Sequence, residues 1–442
     1  MRFLARATLR LEPLLLGVTV GAFWFDNPAR VYFLPLLAAP MLARLILYRR
    51  LWVNVALSTP LYLFLLLCAI NTAVALQDPA SPPYSWGWYV IGRPVMGVAL
   101  ALSIASMIYE TGRIQAALLV ALLLAALVGV LGLTSAQYVP EKSAQLQFLI
   151  RYIPQLYGFP GAEGGFNVNE IGGALAFFAP LAAGIVFYDL RAPRVAKLRL
   201  GVAIFALALL TLAIFLGQSR LAIIGVVCGL GLVVSLLIQN RRWRLIAFAL
   251  LLIFCIVEIG IVTGMFESSS SSTPELTARD ETSFVQRPVI WGAALDIIRD
   301  YPLTGVGLNQ FRSRKVRADY PIPDFAMTVV PHAHNELLQV GADTGIPGMI
   351  LYVVWHAALA VMIWRTWRDG DPLVKVVALS AAAGLLAHAI FGLADAITLF
   401  DRFTWAYWLL VGLASGAYAL TRRKETPDPN AILPGEVLTV NA

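Results

Sequence analysis

Ile114-Gln-Ala-Ala-Leu-Leu-Val-Ala-Leu-Leu-Leu-Ala-Ala-Leu-Val-Gly-Val-Leu-Gly-Leu-Thr-Ser135 contains no charged residue. An α-helix of that length rises roughly 33 Å, enough to cross the ~30 Å hydrocarbon core of a bilayer. Similar windows recur along the 442 residues, at 11–26, 29–48, 53–76, 91–109, 114–135, 170–189, 199–217, 220–238, 244–264, 345–364, 373–393 and 403–421. The expectation is an all-α, polytopic integral membrane protein with about twelve transmembrane helices. Composition points the same way: 59% of residues are hydrophobic, 13% are charged, and the mean hydropathy is +0.75. No soluble domain is built like that. Arg2, Arg6 and Arg10 precede the first window, as in a signal peptide. A small-residue cleavage site is lacking and further spans follow, so this window reads as a span. The chain divides into nine helices with short loops (1–264), one large loop (265–344), three more helices (345–424) and a tail (425–442).

Orientation follows from the basic residues. With the N-terminus inside, 20 of the 33 Lys and Arg fall on the cytoplasmic side and 13 outside, seven of these in the long loop. The inner clusters are Arg49-Arg50, Arg191/Arg194/Lys197/Arg199, Arg241-Arg242/Arg244, Arg365/Arg368 and Arg422-Arg423-Lys424. Both termini are therefore expected in the cytoplasm, with the loop from Met265 to Thr344 outside. The net charge of +7 is mostly flank charge facing anionic lipid, so it needs no nucleic-acid partner. Cys68, Cys228 and Cys255 sit in apolar spans, which excludes a disulfide framework and a Cys metal site. Low complexity is confined to Ser268–Ser272, and the tail after Lys424, with Pro427, Pro429 and Pro434, reads as loose.

Three polar pieces face outward. Gln77–Pro94 carries Trp86, Trp88 and Tyr89, suited to an interfacial belt. Ser135–Asn169 is rich in glycine and aromatic residues. The long loop is the largest, and within it Arg287-Pro288 to Arg299 reads as a helix lying in the membrane surface. A basic cluster follows at Arg312, Arg314, Lys315 and Arg317, and then Pro331-His-Ala-His-Asn-Glu-Leu-Leu-Gln339. Asn335 to Ala342 reads as a short helix, and Gly345-Ile-Pro-Gly348 leads into span ten. Histidine is the side chain best suited to move a proton near neutral pH, which makes His334 a candidate base.

Other motifs carry less. Gly305-x-Gly307 lacks the strand–turn–helix setting of a dinucleotide site. Asp369-Gly-Asp371 falls on the cytoplasmic side and reads as a linker turn. His332-Ala-His334 has no third or fourth zinc ligand in view nearby, so no metal and no cofactor is expected. His356 and His388 lie inside spans, where packing or hydrogen bonding is their expected role.

The order of features resembles the O-antigen ligase and polymerase family of bacterial envelope enzymes, which share the so-called Wzy-C region. The matching pieces are Gln218-Ser-Arg220, Arg287-x3-Trp291-x2-Ala294, Pro302-Leu-Thr-Gly-Val-Gly-Leu-Asn-Gln-Phe311, His334-Asn335-x-Leu337-x-Gln339 and Gly345-x2-Gly348. The resemblance spans about residues 200 to 400. Twelve spans with one long loop near the C-terminal third also look like the ligase.

The resemblance implies glycosyl transfer at the outer leaflet of the bacterial inner membrane, on its periplasmic face. The donor would be a glycan on undecaprenyl diphosphate, and the ligase's acceptor a sugar hydroxyl of lipid A-core. Attack by a hydroxyl calls for a base, which His334 fits. A departing diphosphate calls for cations, which Arg220 and Arg287 fit, and no metal is then required. Gln218, Asn335 and His332 stand as possible supporting residues. Arg312, with its basic neighbours, either attracts a phosphorylated acceptor or forms a solvated face. Asp395 and Asp401 either orient His334 or pair with an arginine. The polymerase of the same family is the nearest alternative. A lipid-linked oligosaccharide flippase is disfavoured, because the charged candidates cluster at the outer face and not at mid-membrane.

Overall fold

The computed structural model describes residues 1–25, 28–76, 87–138, 146–269, 287–322 and 330–425. It is an all-α polytopic membrane protein. The long helices are α1 (Arg2–Phe23), α2 (Leu34–Tyr48), α3 (Ser58–Leu76), α4 (Gly87–Thr111) and α5 (Ile114–Thr134). After the one-turn α6 (Gln147–Ile150) come α7 (Val168–Asp189), α8 (Lys197–Gly217), α9 (Arg220–Leu237) and α10 (Arg241–Ser269). The short α11 (Arg287–Asp300) and α12 (Arg314–Asp319) precede α13 (Glu336–Asp369), α14 (Pro372–Phe391) and α15 (Thr404–Glu425). Each of the twelve apolar windows falls on a long helix. Among the described residues, eight helices are long and apolar enough to cross a membrane. Ser270–Ser272, the tail beyond Glu425, Trp86 and the side chains of Trp88 and Tyr89 lie outside the described residues.

Small residues set the tightest packing. Gly225 and Gly229 on α9 face the backbone carbonyls of Ala387 and Ala383 on α14, where a β-carbon would collide. Gly384 on α14 meets the Phe177 carbonyl of α7 in the same way. Close backbone approach is how helices gain packing energy where lipid supplies no hydrophobic drive. The register also runs α9 against α14 in opposite directions, so the start of α9 lies level with the end of α14.

At the opposite end from the long loop, α1, α2 and α4 are tied by charge. Arg44 is fully buried and holds Glu12 through both terminal nitrogens, at 2.7 and 2.6 Å, and Glu110 through Nε at 2.8 Å. Removing one partner from such a set leaves a buried charge uncompensated, which typically costs ~3–5 kcal/mol.

The loop end is organised by two glycines. Gly345, at φ +72°, breaks α13 into a short helix before it and a long one after it, as the sequence reading expects. Gly305, at φ +59°, faces it: Val306 N donates to Ala342 O and Ile346 N to Pro302 O, both at 2.8 Å. A β-carbon on either glycine would strike the other segment's backbone. Asn71 on α3 donates to Thr304 O at 2.9 Å and closes the joint. The short helix folds back, so that Glu336 reaches His388 of α14 at 2.7 Å. His356 bonds the Tyr352 carbonyl and the Tyr407 hydroxyl. Both intramembrane histidines are thus held in hydrogen-bonding or polar contacts.

Candidate active site

The short first part of α13 is what positions His334. Asn335 caps it: the side chain accepts from Leu338 N at 3.0 Å and donates to Leu393 O at 3.0 Å. Glu336 N donates to Gly392 O at 2.9 Å, which ties the helix start to the turn after α14. Gln339 reaches back over one turn to accept from Ala333 N at 2.7 Å, and its amide donates to Asp343 at 2.9 Å. His334 itself takes a left-handed backbone, φ +48°. A non-glycine residue holds that conformation where the surroundings over-determine it, commonly at functional sites. Here His334 N donates to His332 Nδ1 at 3.2 Å, and its carbonyl accepts from Trp291 Nε1 of α11 at 3.3 Å.

The result is a ring aimed at a carboxylate. His334 Nδ1 lies 3.1 Å from Asp395 Oδ1, on the turn between α14 and α15. His332 Nε2 lies 3.8 Å from the same oxygen. Burial pushes the Asp395 carboxyl up, but the hydrogen bond from His334, both imidazoles and Ala396 N–H outweigh it. Asp395 is therefore held below the usual carboxylate range. Burial drives His332 the other way, down to about 4, with the neighbouring His334 adding to the effect. His332 is neutral at neutral pH.

These groups open onto a cavity of about 410 Å³. One wall is the start of α7, with Asn167, Asn169 and Glu170. The Asn167 side chain caps that helix, accepting from Asn169 N at 2.9 Å. The turn from Asp395 to Arg402 forms the facing wall, and Arg93 of α4 enters from the side, donating to Phe400 O. The arginines here are matched by acids: Arg402 meets Glu170 at 3.1 Å and Arg312 meets Asp401 at 3.6 Å.

The other sequence candidates divide around this cavity. His332, His334, Arg312 and Asp395 line it; Arg220 and Arg287 do not. Arg287 is 8% exposed at the start of α11, one turn before Trp291. Burial lowers its pKa, and the negative charge of Asp395 partly offsets this. Arg220 opens α9 after Gln218, a buried residue at φ +52° whose amide donates to Phe215 O, and Ser219, which packs on Gly172. Its place at the start of α9 puts Arg220 level with the end of α14, just before Asp395. Of the basic cluster, Arg312 points into the cavity. Arg317 lies 4.0 Å over the Phe311 ring, with burial lowering it to about 10. Lys315 is exposed, and the Arg314 side chain is outside the described residues.

Sequence reasoning missed Glu170, Arg402 and Arg93, whose partners are hundreds of residues away. The cap at Asn167 was readable, as an Asn followed three residues later by Glu before an apolar run. Sequence also left the His332-Ala-His334 pair without a third metal ligand. The fold brings Asp395 beside them, with nitrogen or oxygen atoms of all three within 4.8 Å of one another.

A protein-family model described as O-antigen ligase matches residues 205–353. The matched segment is similar to the O-antigen ligase (Wzy-C) family. No curated protein matches the chain. The family segment contains Gln218, Arg220, Arg287, Arg312, His332, His334 and Asn335, whereas Asp395, Glu170 and Arg402 lie outside it. The match supports activity of the ligase-or-polymerase class, a glycosyltransferase-like reaction on lipid-linked glycans in a bacterial membrane.

Proposed function

We propose that this protein is an O-antigen ligase. It transfers a glycan from undecaprenyl diphosphate to a sugar hydroxyl of lipid A-core, with inversion and without a metal. The observation that carries the reading is the His334–Asp395 contact at 3.1 Å, opening on a cavity lined by polar and charged side chains. In this reading the acceptor hydroxyl gives its proton to Nε2 of His334 as its oxygen attacks the anomeric carbon. Asp395 accepts the Nδ1–H, fixes the tautomer and stabilises the imidazolium that forms. General-base catalysis of this kind typically contributes ~10²–10⁴-fold.

The bond from the anomeric carbon to the diphosphate oxygen breaks on the opposite face, which inverts the centre. Diphosphate leaves as an anion and needs no proton. Arg287, supported by Arg220, offsets the charge that grows on it, with planar donors matched to phosphate oxygens. The cavity then receives the acceptor sugar, and the polyprenol lies in the bilayer beside the helices. The proposed setting is the bacterial inner membrane, with the site on the periplasmic face and both termini cytoplasmic. Choosing ligase over polymerase rests on the pattern of spans with one long loop near the C-terminal third. The test is transfer by the purified protein from lipid-linked donor to lipid A-core. Failure with that acceptor, alongside elongation of a second lipid-linked glycan, would reverse the choice.

A further inference from the structure

The candidate base shares its carboxylate with a second imidazole. His334 Nδ1 and His332 Nε2 approach one oxygen of Asp395, at 3.1 and 3.8 Å, and all three atoms lie within 4.8 Å of one another. Tetrahedral zinc sites have bonds of about 2.0–2.2 Å to nitrogen and oxygen, which places ligand atoms roughly 3.3–3.5 Å apart. Closing these three side chains on an ion therefore takes a contraction of about an ångström in the widest gap. The backbone around them is already fixed by Gln339, Trp291 and Ala396 N–H. The His residues and Asp395 also line the cavity, so a fourth position is open to water.

We propose that His332, His334 and Asp395 form a binding site for a divalent transition-metal ion of the zinc class, and that an ion bound there switches the transfer reaction off. Two imidazoles and one carboxylate suit Zn²⁺, Co²⁺ or Ni²⁺ and not Mg²⁺ or Ca²⁺, which favour all-oxygen ligands. Inhibition rests on the reading of His334 as the base, and follows from the tautomer. Without the ion, the ring proton is on Nδ1 against Asp395 and the lone pair is on Nε2. An ion takes the Nδ1 lone pair, so the single ring proton moves to Nε2. The same ion takes the Nε2 lone pair of His332, so that ring's proton moves to Nδ1 and the contact from His334 N is given up. The balance is two protons relocated and none released, and the His334 atom that must accept the acceptor's proton now carries one. The ion opposes the reaction and does not serve it.

The test uses full-length protein in detergent, stripped with chelator and then dialysed. Cobalt chloride is titrated while the visible bands of bound Co²⁺ are followed, and zinc chloride binding is measured by calorimetry. One ion per chain is expected. His332→Ala and Asp395→Asn should each weaken binding by roughly tenfold or more, because each removes one of three ligands. His332→Gln, with circular dichroism and gel filtration on every variant, separates loss of a ligand from loss of fold. Absence of stoichiometric binding in the wild type, or binding undiminished in folded variants, overturns the site. In the transfer assay, the ratio of activity with and without zinc should fall by about tenfold in the wild type and return to about one in His332→Ala. Site-specific binding with no effect on turnover would leave the metal site standing and remove His334 as the base.

Discussion

Nδ1 of His334 meets Oδ1 of Asp395 at 3.1 Å across 61 residues of chain. A carboxylate there favours the tautomer with the proton on Nδ1, in a ring that lines the cavity. Replacing the acid by an amide keeps the shape and loses the preference, since an amide can present its NH₂ to the ring. Asp395→Asn is therefore expected to lower kcat by about 10²–10⁴-fold with a smaller change in KM. His334→Ala should abolish transfer, and His332→Ala should lose less than either. Steady-state kinetics with purified variants checks this. Near-normal turnover in His334→Ala would remove the base assignment.

Arg220→Lys and Arg287→Lys keep the charge and lose the planar fork. If these residues hold the departing diphosphate, each change should cost most of the activity, on the order of tenfold or more. Arg287→Lys is the more sensitive, because the buried guanidinium also shares the field of Asp395. Donor titrations in vitro give the answer, and wild-type behaviour in both variants would reduce these arginines to interfacial anchors.

Chelation is expected to leave transfer intact or to raise it. In the proposed mechanism Arg220 and Arg287 take the neutralising role that a divalent ion has in many glycosyltransferases. Activity is assayed with EDTA and then with added magnesium or manganese. Loss in EDTA with recovery on either ion would contradict the metal-independent reading.

Gly305 and Gly345 should tolerate no side chain. Both have positive φ, and an added β-carbon meets the backbone of the facing segment. Left-handed strain alone costs ~1–3 kcal/mol, and the collision adds to it. Gly345→Ala should lower the thermal midpoint in detergent and reduce transfer together, because the same joint carries the helix that positions His334. A stable, fully active Gly345→Ala protein would show that the joint is not needed to aim the ring.

How far this site was legible follows from where each contact comes from. His334, Asn335 and Gln339 are neighbours on one short helix, and their spacing already contains the cap and the brace to Ala333 N. Gly345 announces the break in α13 because only a glycine takes φ +72° there without strain. The apolar windows were plain from length alone. Asp395 could be named as one of two acids after span eleven, and the fold divides their work: Asp395 goes to His334 and Asp401 to Arg312. The Arg402–Glu170 pair joins residues more than two hundred positions apart, and nothing local in either segment indicates the other. Asp395 likewise reaches His332 and His334 only through tertiary packing, which no spacing around the histidines indicates.

The sharpest division between ligase and polymerase comes from deleting the gene. A ligase must admit a bulky phosphorylated lipid at the membrane surface and bring one of its hydroxyls to His334. The sequence offers a basic cluster for that purpose, but the fold uses part of it elsewhere: Arg312 pairs with Asp401, and Arg317 stacks on Phe311. Lys315 is exposed, and surface charges steer weakly beyond a Debye length of about 8 Å. Surface charge therefore cannot rank the two acceptors, and the glycans must be read directly. Loss of a ligase should leave bare lipid A-core while long glycans accumulate on polyprenyl diphosphate. Loss of a polymerase should leave lipid A-core capped with a single repeat unit and no long lipid-linked chains. Electrophoresis of lipopolysaccharide, beside extraction of lipid-linked glycans, distinguishes these patterns. Bare core with accumulated donor is the expected outcome, and the single-repeat cap would move the protein to the polymerase branch.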